Sequence, residues 1–506
     1  MRGERGGWIA LAAVSLAVFV AALDLTVTAA VLPQLIVDFR VPLPGGLADA
    51  AWIVNGYLIA YVVTMPLMGR VSDLVGRRPV FLVSLALFVL GSVWAASVNS
   101  LWPMVAARVV QALGGGAMVP VALAAVSDAL PERQRPLALG LIAAVDTAGW
   151  VAGPSYGAWL TTWLGWRWVF WLNVPVGILA AVLVWVALPR GARREHRMDW
   201  AGGALFTLFL LAFTMALYVG APAGAEGGAL LSSTNAPQLS RWLWPLLGTA
   251  IVALLLFIFR ERRAAEPLFD LRLLSGRTFA AANAVSLLTG AILMAVMVEV
   301  PVLMQAVSTS IEAATATSGR LLAVFAGGMV LGALVAGPVL RRVSARWVTL
   351  AGLLVMIAGL WQMAQWEQGM TPTALMGPLG LAGLGLGLVT TPLASAVLER
   401  VAEAERGIAS SLLLVARLLG MTLGLSVLVT WALRRFTALV SQVDISFTDP
   451  DAAALMAQAA VSAMTTVVTD LFFVTAIVGV VALLPALLLR EEPRAELAPE
   501  HDKQAQ

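Results

Sequence analysis

The chain has 506 residues, 60% of them hydrophobic and only 12% charged, with a mean hydropathy of +0.89 and a formal net charge of +3. Soluble proteins keep about 25% charged residues to cover their surface, so most of this surface must face lipid. Cysteine is absent, which excludes disulfides, thiolate metal sites and a cysteine nucleophile.

The basic residues are almost all arginine, scattered between apolar runs, and Lys503 is the only lysine. That distribution argues against nucleic-acid binding. His196 and His501 both lie in polar segments, so any proton traffic inside the membrane must use carboxylates.

A helix needs about 20 mainly apolar residues to cross the hydrocarbon core. Fourteen stretches qualify, beginning with 8–32, 51–69, 79–98, 102–125, 137–160 and 166–188. A pair at 200–219 and 242–259 comes next, and 278–304, 316–340, 347–366, 374–398, 407–433 and 461–489 complete the set. The first stretch is too long for a signal-peptide core and lacks an A-x-A-like site, so it is expected to be an uncleaved helix. The middle pair reads as an insertion between two sets of six. The expected organisation is all-α and integral to the membrane. A six-helix bundle fills 1–190, two linker helices fill 191–277, a second bundle fills 278–490, and 491–506 forms a disordered cytoplasmic tail.

The arginines orient this map. With the N-terminus inside, 24 of the 32 Lys and Arg fall in cytoplasmic segments. Six fall outside or at outer helix ends: Arg40, Arg167, Arg241, Arg320, Arg434 and Arg435. The bias fits the positive-inside rule and predicts that both termini are cytoplasmic. Residues 220–240, rich in Gly, Ala, Ser and Pro, form an outer linker, and the Ala-rich run from Asp451 to Ala460 is expected to extend the last helix beyond the membrane.

Five ionisable residues remain inside apolar stretches: Asp24, Arg108, Asp146, Glu299 and Arg417. A charge at the bilayer centre costs about 2.5–3.5 kcal/mol on insertion scales, so such groups usually face a cavity and carry function. Asp146 and Arg417 each lie about ten residues from the cytoplasmic face, or roughly 15 Å at 1.5 Å per residue. They are either independently solvated or a bridge between the two bundles that breaks as these rock. Glu299, beside Pro301 near an outer helix end, is either an interfacial carboxylate or a cargo or proton site.

Other chemistries lack support. No G-x-x-x-x-G-K-[ST] motif, metal-ligand cluster or nucleophile–base pair occurs, so neither an enzyme nor a cofactor is expected. The glycine runs Gly114–Gly116 and Gly383–Gly387 lie in apolar helices and are expected to serve packing.

Four motifs carry more. The loop after the second span reads G-R-V-S-D-L-V-G-R-R-P, with Gly69, Asp73, Gly76, Arg77 and Arg78; the first span carries L-D-L-T-V-T-A-A-V-L-P from Leu23 to Pro33. The fourth carries R-V-V-Q-A-L-G-G-G from Arg108, and the fifth G-W-V-A-G-P-S-Y-G, in which Gly149, Gly153 and Gly157 make a smooth ridge and Pro154 a bend. Together with W-R-W-V-F-W-L-N-V-P (Trp166 to Pro175) and D-W-A-G (Asp199 to Gly202), they resemble the fourteen-helix drug:proton antiporter branch of the major facilitator superfamily. Within that branch, G-L-G-L-G-L-V-T-T-P-L-A-S-A, G-I-A-S-S and V-A-R-L-L-G-M are similar to mycobacterial exporters that move triacylglycerols with a periplasmic lipoprotein. Those exporters have Glu where this chain has Asp146.

The resemblance implies a proton-coupled exporter of lipophilic or amphipathic molecules in the bacterial cytoplasmic membrane, working by alternating access. The cargo would be drugs or lipids, a periplasmic lipoprotein would be a partner, and a monomer is expected. It further implies that Asp73 and Arg77 latch the cytoplasmic side and that the first and fourth helices line one cavity. Asp24 and Arg108 would then be either a permanent structural ion pair or a proton-titrated pair that changes during transport.

Overall fold

In a computed structural model of the protein, residues 2–42, 47–131, 134–188, 199–217, 242–264, 267, 276–308, 310–340, 342–367, 370–398, 406–442 and 452–489 are described. The outer linker 220–240 and the tail 491–506 lie outside them. The elements of the first half are α1 (Arg2–Asp38), α2 (Leu47–Ala50), α3 (Trp52–Val75), α4 (Arg77–Ser97), α5 (Leu101–Ala129), α6 (Arg135–Leu164), α7 (Arg167–Trp171) and α8 (Asn173–Ala187). The inserted pair is α9 (Trp200–Leu217) and α10 (Leu243–Glu261). The second half holds α11 (Arg277–Val307), α12 (Ile311–Leu340), α13 (Ala345–Met363), α14 (Met376–Leu398), α15 (Arg406–Val440) and α16 (Ala452–Leu487).

Every stretch predicted to span the membrane is helical, and no strand occurs among the described residues. Among the described residues, twelve helical segments rather than the fourteen expected are long and apolar enough to cross a bilayer, α7 and α8 counting as one (Arg167–Ala187); α6 is not among them, and α9 offers only the shorter apolar run Trp200–Ala216. The sixth stretch is broken at Leu172 into α7 and α8, and Pro175 sits in the first turn of α8, where its missing N–H is tolerated. Helix α16 begins at Ala452, so the Ala-rich run does lengthen the last helix.

Lipid-facing surfaces are apolar, as at Val186, Leu334 and Leu484, all more than half exposed. Helices meet inside through glycine. Helix α14 lies between α12 and α13. A Cβ on Gly385 would sit 2.5 Å from the Gly352 carbonyl oxygen, and one on Gly383 only 2.9 Å from the Phe325 carbonyl carbon. These backbones approach too closely for any side chain, so the glycine run is a packing device. The inserted pair stacks through Phe206 and Phe257, with ring centroids 5.3 Å apart. Its inner member α9 rests on both α3 and α15.

The two halves touch at one end of the bundle, where α1 finishes and α3 begins. There Asn55 donates to Ser426 Oγ at 3.4 Å and Gln305 donates to the Pro33 carbonyl at 3.4 Å. Helices α6 and α12 also pack together, with Gly319 against Ala158.

Candidate functional site

Asp24 and Arg108 are brought together in the interior of the first half, and both are fully buried. Arg108 Nη1 donates to Asp24 Oδ2 at 2.5 Å and to Gln111 Oε1 at 2.6 Å, and Nη2 reaches the Asp24 backbone carbonyl at 3.3 Å. The other carboxylate oxygen, Oδ1, accepts from Gln111 Nε2 and from Asn173 Nδ2, both at 2.9 Å. Ser92 Oγ ties these two amides together, accepting from Gln111 at 2.8 Å and from Asn173 at 3.4 Å. The guanidinium lies on the face of Tyr57, 3.9 Å from the ring centroid, with Phe170 beyond at 5.6 Å. Four helices (α1, α4, α5 and α8) thus converge on a single carboxylate. It is fully supplied with donors while ionised. A proton there would cancel the charge that Arg108 answers.

Gln111 and Asn173 carry half of this cage, and sequence reasoning assigned them no role. Their signal is present, since each is an amide in an otherwise apolar helix.

Helix α6 is held against α1 by the glycine ridge. A Cβ on Gly149 would stand 2.6 Å from the Phe19 carbonyl oxygen, one on Gly153 2.7 Å from that of Leu23, and one on Gly157 3.1 Å from that of Val27. Pro154 has no N–H to offer the Trp150 carbonyl four residues back. Thr26 of α1 donates to that carbonyl at 3.0 Å, so the neighbouring helix repairs the missing rung. The ridge fixes the depth of α1 against α6, and with it the positions of Asp24 and Asp146.

Asp146 on α6 and Arg417 on α15 belong to different halves and make no direct ion pair in this conformation. Asp146 Oδ1 is shielded and receives no hydrogen bond among the described residues. Gly290 of α11 lets that helix lie against the α15 backbone at Arg417. Glu299 joins neither cluster. It is only 6% exposed, and both of its carboxyl oxygens are buried without a hydrogen-bond partner among the described residues. It is therefore not an interfacial carboxylate reaching for water.

The loop motif lies at the opposite end from the closure. Gly76 alone separates α3 from α4, with φ 110° and ψ 148°, a conformation that favours glycine. Arg77 donates to Ser72 Oγ at 2.5 Å and pairs with Asp128 of α5 at 3.2 Å; it also reaches the Gly69 carbonyl at 3.5 Å. Arg78 lies over the Trp185 ring at 4.4 Å. The side chain of Asp73 lies outside what is described. No group of three or more potential metal ligands occurs among the described residues.

The model of the Major Facilitator Superfamily matches residues 14–218. A triacylglyceride transporter of Mycobacterium tuberculosis is 34% identical over 524 residues, covering 99% of this chain and 98% of that protein. The chain belongs to the major facilitator superfamily. A triacylglyceride transporter of Mycolicibacterium hassiacum is 37% identical over 449 residues, with 86% of this chain and 81% of that one covered. Solved structures repeat the fold. A bacterial homolog of the human lysosomal transporter Spinster, inward-facing and unoccupied, gives a TM-score of 0.61 at 18% identity, covering 96% of this chain and 99% of that one. A D-xylose–proton symporter gives 0.63 at 14% identity, with 96% and 97% covered. This member of the superfamily is a multi-pass membrane transporter and not an enzyme.

Proposed function

We propose that the protein exports lipophilic or amphipathic molecules, with triacylglyceride-class lipids as the principal cargo, across the bacterial cytoplasmic membrane by alternating access. Protons entering down their gradient drive the cycle. The observation that carries the lipid reading is the match to triacylglyceride transporters over 99% of this chain. The caged carboxylate of Asp24 supports the coupling. With the arginine-rich segments on the cytoplasmic side, the end where the halves touch is the outer one.

In this reading Asp24 and Arg108 bind and release the coupling proton, and Glu299 is the carboxylate of the second half that joins them. Asp146 and Arg417 act as a lock between the halves. Gly69, Asp73, Gly76, Arg77 and Arg78 close the cytoplasmic side, and Gly149, Gly153, Pro154 and Gly157 seal α6 onto α1. The transporter works as a monomer and hands its cargo to a periplasmic lipoprotein.

The test is transfer of a fluorescent triacylglyceride between leaflets of reconstituted vesicles, with and without an imposed proton gradient and alongside an ethidium-efflux assay. Gradient-stimulated lipid transfer is the expected outcome. Ethidium efflux without lipid transfer would replace this reading with multidrug export.

A further inference from the structure

Helix α11 is the most continuously buried helix of the second half, and Glu299 lies in its deepest run, from Ile292 to Pro301. An ionised carboxylate needs water, a donor or a cation to replace its hydration, and burial without these drives it to the neutral form. Glu299 is buried, and neither of its carboxyl oxygens meets a protein donor or cation among the described residues. The helices packed on α11 are α1, α12, α14, α15 and α16. By sequence they carry Arg2, Glu4, Arg5, Asp24 and Asp38 on α1, Glu312 and Arg320 on α12, Arg406, Arg417, Arg434 and Arg435 on α15, and Asp470 on α16; α14 carries no charged residue. Among the described side chains, none bonds to either carboxyl oxygen of Glu299. The contrast with Asp24, caged by a guanidinium and two amides, is complete.

The surroundings also supply a way to open the site. Pro301 gives no N–H to the Met297 carbonyl, so α11 lacks one rung of its ladder at Glu299 and can bend there. Beyond that weak point, Gln305 holds α11 to α1 through the Pro33 carbonyl. Parting the halves at this end must break that contact and swing the tip of α11 about Pro301.

We propose that Glu299 is a second proton-binding site, holding its proton while the halves are closed over it and exchanging it with water only when they part. In the open form one proton passes from water to a carboxylate oxygen of Glu299, and it later leaves that oxygen for water. The inference deepens the proton-coupled reading and rests on it for its role in transport, though not for the protonation itself.

Infrared spectroscopy of the full-length protein in phosphatidylcholine vesicles tests it, following the carbonyl stretch of protonated carboxylic acids as the bulk pH is raised. The wild type should show at neutral pH a band that Glu299→Gln lacks and Asp24→Asn retains, and the band should fade reversibly at alkaline pH. Glu299→Met, which keeps the volume without any polar atom, should lack it as well. Bands unchanged in both Glu299 variants would overturn the proposal. So would a band that persists until the protein unfolds, since Glu299 would then be a permanently neutral packing group. The readout needs neither cargo nor gradient, so its failure is separate from any failure of Asp24 as the coupling residue.

Discussion

Asp24 shows what a single buried carboxylate demands of its surroundings. Arg108, Gln111 and Asn173 donate to it from two other helices, and each bond to a charged group contributes about 1.5–3 kcal/mol. Asn173→Ala removes one of these donors and should therefore lower gradient-driven lipid transfer in vesicles by about tenfold, the equivalent of about 1.4 kcal/mol. Lipid transfer at the wild-type rate would mean that Asn173 does not hold the site. The charged pair is legible in the sequence because ions stand out in apolar runs. The amides are not, because a neutral Gln or Asn is common in a membrane helix and its partners lie 149 and 87 positions away in the chain.

At the scale of elements, the α1–α6 contact explains why the Gly149, Gly153, Pro154 and Gly157 pattern is needed. Three glycines allow backbone contact, and the proline is tolerated because Thr26 supplies the hydrogen bond that it cannot. Thr26→Val keeps the shape and leaves the Trp150 carbonyl unsatisfied. It should lower stability by about 1–3 kcal/mol, seen as a reduced melting temperature in detergent, while Thr26→Ser should restore it. Gly153→Leu should be worse, because its Cβ would meet the Leu23 carbonyl and nothing there can yield. The ridge itself is readable from its four-residue spacing. Thr26 as the repair is not, since a threonine in a helix more often bonds its own backbone, as Thr64 does to Ala60. The break of the sixth span at Leu172 is likewise absent from hydropathy, which runs on unbroken through Trp171 and Leu172.

Across the whole molecule, hydropathy located the helical stretches in order but not their ends: α1 runs Arg2–Asp38 and α15 Arg406–Val440, both longer than their apolar runs. Which end of the bundle closes was not readable, because it depends on contacts such as Asn55 to Ser426 between residues 371 positions apart. Depth counting put Asp146 and Arg417 at matched depth, but depth carries no azimuth, and the two make no direct ion pair in this conformation. If they lock the halves in another stage of the cycle, each single neutralisation leaves a buried partner unpaired, at a cost of about 3–5 kcal/mol. Asp146→Asn and Arg417→Gln should then each impair transport, and Asp146→Arg with Arg417→Asp should recover part of it. Additive losses in the swap would show the two residues to be independent.

The central claim is that proton entry through Asp24 drives export, and the most direct measurement is simultaneous proton and lipid flux in vesicles. With a pH-sensitive dye inside and a fluorescent triacylglyceride in the membrane, wild-type protein should show proton movement that rises with lipid transfer. Asp24→Asn, still inserted in the membrane, should lose both responses together. Lipid transfer in Asp24→Asn that still responds to the gradient as in the wild type would contradict the account.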